Sequence, residues 1–158
     1  MREQQITRPE GAPRRRSRPA RATWYAFLGL AVVFTLCVAV QVFIAGLAVF
    51  VTPVHWAQHA AFVHIFEFVP LLMLLVSAVG RLPTRLRWLS AALFALVYAQ
   101  YFTANIRGLV PLVAALHPVV ALVIFWLSLR LVQETRSAMG ATPNIGPIVE
   151  ARGEPRAS

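Results

Sequence analysis

Residues 24–51 carry no charged side chain, and few structures accommodate such a run. At ~1.5 Å per residue, ~20 helical residues cross the ~30 Å hydrocarbon core of a bilayer. Inside lipid the backbone must satisfy its own polar groups, which a helix does. The run is longer than the apolar part of a secretory signal peptide, and Ala48-Val49-Phe50 is a poor cleavage site, so a retained helix is expected. Three more apolar segments follow, at about 55–79, 86–106 and 110–131. Thr52-Pro53-Val54, Gly80-Arg81-Leu82-Pro83 and Arg107-Gly108 separate them with breaker chemistry. Pro111 falls in the first turn of the last segment, where its missing N–H costs nothing. Short connections make neighbouring helices antiparallel. The expected fold class is therefore all-α, an integral membrane four-helix bundle over residues 24–131 running up-down-up-down. The flanks, 1–23 and 132–158, have little to bury and are expected as disordered tails.

Charge placement gives the orientation. The formal net charge is +9, and every basic residue is arginine. In a soluble chain that excess would point to nucleic acid. Here seven arginines precede the first segment, Arg81, Arg85 and Arg87 cluster at the junction of the second and third, and Arg130 and Arg136 lie at the end of the fourth. The 52–54 turn has none and the 106–109 turn has only Arg107. By the positive-inside rule both termini and the middle turn are cytoplasmic. The partner implied is the lipid bilayer, not nucleic acid. Residues 14–21 also suit anionic headgroups. Cys37 is the only cysteine, which excludes an intrachain disulfide, and it should behave as a small hydrophobe.

Polar side chains within membrane segments tend to face the bundle interior. Gln41, His55, His59, His64, Glu67, Gln100, Asn105 and His117 all fall in the outer halves of their segments. The inner halves hold Thr35, Ser77, Ser90 and Ser128. One outer cluster is expected. At ~100° per residue, His55 and His59 share one face of the second helix, while His64 and Glu67 share another. Gln41, Ala45 and Ala48 share a face of the first helix, where small residues permit close approach. Pro70 frees the Phe66 carbonyl and Pro118 frees that of Ala114, so the second helix carries a break and the fourth a kink. A fourth helix starting at Pro118 and ending at Leu131 would be too short to span. Trp24, Tyr25, Trp56, Trp88, Tyr101 and Trp126 are expected near the interfaces.

Gln41-Val42-Phe43-Ile44-Ala45-Gly46, Trp56 with His59, Gly80-Arg81-Leu82-Pro83, Gln100 and Leu116-His117-Pro118 together resemble the bacterial four-pass membrane proteins of unknown function, over roughly residues 24–132. Val63 departs from that pattern, which is more often glycine-like there. The resemblance implies the topology above and a multi-pass place in the bacterial inner (plasma) membrane, without implying a chemistry. There is a looser likeness to haem-binding four-helix membrane bundles, such as the halves of haem A synthase and the b-type cytochromes. It implies His59 and His117 as axial ligands of a haem b, with Arg107 as the outer-side propionate partner.

Each polar group also has a plainer reading. His117 can bond Gln41, Gln100 or a freed carbonyl, fixing helix packing. His64 with Glu67 can serve as a proton relay or as a structural pair. His55 and His59 have the i, i+4 spacing of a zinc or copper site, but without a third ligand. No nucleophile with a base partner, phosphate loop or paired carboxylate appears. The expected function is a small, non-enzymatic polytopic membrane protein with an outer polar cluster of Gln41, His59, His64, Glu67, Gln100 and His117. It would need no cofactor and would partner another membrane protein or a second copy of itself. The alternative is a haem b electron carrier with bis-histidine ligation.

Overall fold

The computed structural model describes residues 18–140. They form α1 (Arg18–Phe50), α2 (His55–Phe66), α3 (Val69–Val79), α4 (Thr84–Asn105), α5 (Pro111–Ala114) and α6 (His117–Gly140), with one 3-10 turn, Ile106–Gly108, after α4. No strand occurs among the described residues. The stretches Ala20–Phe50, His55–Val79 and Pro111–Gly140 are long and apolar enough to cross a membrane. α4 has 22 residues; Arg85, Arg87, Gln100 and Asn105 make it less apolar. The helices close into a ring in which α1 packs on α2, α3 and α6, and α4 packs on α3 and α6.

The two ends of this ring differ in how well they are filled. Phe27, Ala31, Phe34, Met73, Leu82, Leu86, Leu93 and Leu131 are fully buried in the half expected to face the cytoplasm. Ser77, Ser90, Ser128, Thr35 and Thr135 are buried with them. Each of those hydroxyls bonds a carbonyl of its own helix, Ser90 to Leu86 at 2.9 Å and Thr135 to Leu131 at 2.7 Å among them. A self-satisfied hydroxyl carries no desolvation debt, and its small size lets the helices approach. Around the outside the surface is apolar: Phe43 is 65% exposed, Ile65 76% and Leu122 67%. Water would penalise such a surface, whereas acyl chains match it.

The breaks follow from proline chemistry. α2 ends at Phe66, and Pro70 sits in the first turn of α3, where no N–H is required. The second is the expected kink, within a Pro111–Gly140 stretch that still runs as one apolar span. The chain turns at Ala115 and Leu116, and α6 starts at His117 with Pro118 in its first turn. A helix starting there was expected to be too short, because its end was placed at Leu131. It continues to Gly140 because packing continues: Leu131 and Thr135 are buried, and Glu134 meets Arg85 at 2.8 Å. α1 likewise begins at Arg18, inside the stretch expected as tail. Residues 1–17 and 141–158 of the two expected tails lie outside the described residues.

At the 80–83 turn, Gly80 has an ordinary φ of −76°. Its requirement is for space, since a Cβ there would run into the Thr23 side chain and the Val76 carbonyl. The left-handed residue is Arg81, with φ 50°.

Candidate functional site

In the half away from the 80–83 turn the helices enclose a cavity of about 730 Å³. α4 packs along α3 and α6, while α2 packs on α1, and the outer ends of the helices separate to leave a chamber. Small side chains widen it: Ala45, Gly46, Ala60, Ala104 and Ala121 form much of the wall. Val42, Val49 and Leu122 line it and are also exposed, so it communicates with the surface of the bundle. Among the described residues no carboxylate lines it.

Five of the six residues of the expected cluster, Gln41, His59, His64, Gln100 and His117, line this chamber. Gln41 Nε2 donates to the His59 carbonyl at 2.8 Å, and His59 Nδ1 lies 3.2 Å from the Gln41 carbonyl. A carbonyl only accepts, so Nδ1 is the protonated ring nitrogen of His59. Opposite, the Thr103 hydroxyl donates to the Gln100 carbonyl at 3.0 Å and lies 3.1 Å from His117 Nδ1. With its proton already given, the hydroxyl accepts from His117 Nδ1–H. The expected partners of His117 were Gln41, Gln100 or a freed carbonyl; its ring engages the Gln100 backbone carbonyl and, in addition, the Thr103 hydroxyl. The two imidazoles face each other with ring centroids 6.4 Å apart, and Trp56 sits edge-on to His59 at 5.6 Å. Neither ring has an ion-pair partner among the described residues. The Oε1 atoms of Gln41 and Gln100 are buried without a hydrogen-bond partner.

His64 and Glu67 belong to a second group. His64 Nδ1 is 3.2 Å from Glu67 Oε1, and the Tyr101 hydroxyl donates to Glu67 Oε2 in a short bond. His64 and Tyr101 also stack at 5.8 Å. This triad ties the α2–α3 break to α4 at the chamber's edge, since His64 and Tyr101 line the chamber and Glu67 does not. The expected single cluster is therefore two adjoining groups. Tyr101 and Thr103 complete them and were missed, Tyr101 because it read as an interfacial aromatic. Their spacing from Gln100 on one helix was the only available signal. His55 turns elsewhere, with Nδ1 2.6 Å from Gln58 Oε1, and Asn105 bonds back to the Tyr101 carbonyl. His55 and His59 thus have separate partners and do not converge. The side chain of Arg107 lies outside those described.

Compared with known proteins, the chain is similar over residues 41–106 to a family of unknown function, DUF6220. That stretch runs from the middle of α1 to the end of α4 and includes Gln41, His59 and Gln100, but not His117. No curated protein and no solved structure matches the chain.

Proposed function

We propose that this is a four-crossing membrane protein of the cell's plasma membrane, both ends cytoplasmic, that holds a lipophilic molecule in its outer-half chamber. Its role is binding, not catalysis. α4 makes the fourth crossing: it closes the ring, and its arginines fall at the end that the positive-inside rule assigns to the cytoplasm. The observation that carries the reading is the chamber itself, apolar-walled with a few convergent polar groups, which is how small-molecule sites are built. Organic extraction of protein purified in mild detergent, followed by mass spectrometry, tests it. A stoichiometric lipophile is expected from the native chain and not from Ala121→Trp, which fills the chamber. A native chain that yields none overturns the proposal.

A second reading takes the same two rings as ligands of a haem b iron. It is favoured by the 6.4 Å between ring centroids, close to the sum of two iron–nitrogen bonds and two nitrogen-to-centroid lengths, and by Nδ1 of each ring being engaged. Haem iron accepts imidazole from both sides, and its axial ligands tune its potential. A sharp Soret band after haem supplementation, lost in His117→Ala, would support it. A colourless protein would end it.

A further inference from the structure

Gln41 gives its amide N–H to the His59 carbonyl, which fixes Oε1 as the end left over. That oxygen is buried and unpartnered. His59 and His117 each commit Nδ1–H to a neighbour, so the remaining polar atom of each ring is a neutral Nε2 with a lone pair. Neither Nε2 has a partner among the described residues. Gln100 can present either end of its amide. Three polar atoms of the chamber are thus fixed as acceptors, while Trp56, also in the lining, adds an indole N–H donor.

We infer that the head group held in the chamber is a hydroxyl donor, the O–H of a lipophilic phenol or alcohol. This rests on the ligand-holding reading above and names its chemistry. A ketone, ester or quinone could accept only from a donor such as the Trp56 indole and would leave Gln41 Oε1 and the two Nε2 atoms unpaired. Among the described residues no carboxylate lines the chamber to compensate an ammonium head. A phosphate head would need cations, and none of the described side chains lining the chamber is one. A hydroxyl satisfies Gln41 Oε1 or an imidazole Nε2 while its apolar body lies along Val38, Val97 and Ile124.

The test compares molecules of one shape with and without the donor. The full chain in lipid nanodiscs is titrated with 4-octylphenol, 4-octylanisole, 1-decanol and its methyl ether, read by tryptophan fluorescence, since Trp56 lines the chamber. A hydroxyl compound is expected to bind about tenfold or more tighter than its ether, the cost of a buried acceptor left unpaired. Which hydroxyl compound shows the preference separates a phenolic from an aliphatic source. His59→Phe with His117→Phe should shrink the preference, since only Gln41 Oε1 remains as a fixed acceptor, while ether binding persists, showing that the chamber remains. Equal affinity for hydroxyl and ether overturns the inference and leaves the ligand-holding reading intact; no binding of either overturns both. If the double variant does not fold, imidazole ¹⁵N shifts of the native chain decide, because Nε2–H tautomers would contradict the acceptor assignment.

Discussion

Thr103 is placed to choose a tautomer. Its hydroxyl donates to the Gln100 carbonyl and therefore can only accept from His117. Thr103→Val keeps the shape and removes the acceptor. His117 is then expected to shift toward the Nε2–H form, measurable as exchange of the two ring ¹⁵N shifts; an unchanged spectrum would mean that Thr103 does not set it. Gln41→Leu removes one of the two hydrogen bonds that tie α1 to α2 and should lower stability by about 0.5–2 kcal/mol, the scale of one interhelical hydrogen bond in a membrane bundle. Unfolding of the reconstituted protein by a denaturing detergent measures it. That Gln41, His59, Gln100 and His117 would share a region was legible, because each lies at a similar depth along its own helix. Who bonds whom was not. Pairings depend on helix rotation, and a helix apolar on every side leaves no stripe to mark its inward face.

The helices themselves were readable, since lipid demands long uncharged runs and breakers end them. Their outer limits were less so. α6 continues beyond Leu131 because Glu134 and Thr135 still find partners, and composition alone does not reveal that. The turn after α3 gives a sharp contrast between neighbours. Gly80→Ala should destabilise by about 1–3 kcal/mol, an overpacking cost, because Thr23 and the Val76 carbonyl occupy the space. Arg81→Gly should be neutral or mildly stabilising, because φ 50° favours glycine. Within the packed half, Ser90→Ala should be nearly silent, its hydroxyl serving only its own helix. Ser90→Leu should cost about 1–3 kcal/mol by forcing α4 from its neighbours. Thermal melting in one detergent ranks all four.

At the level of the whole molecule, orientation is the claim most open to direct measurement. With Cys37 replaced by serine, single cysteines at positions 52, 85 and 108 report topology. An impermeant thiol reagent applied to intact cells should label 52 and 108 and spare 85; labelling at 85 alone would invert the bundle. The side chains that fill one end and the small residues that leave the other end open together make a blind vessel. Phe27, Phe34, Met73, Leu93 and Leu131 are its floor, so nothing that enters from the far leaflet has a route onward. A molecule held there would enter and leave through the openings of the outer half, where exposed Val42, Val49 and Leu122 line the chamber. If it holds a molecule as proposed, storing, presenting or sensing that cargo suits such a vessel better than conducting it.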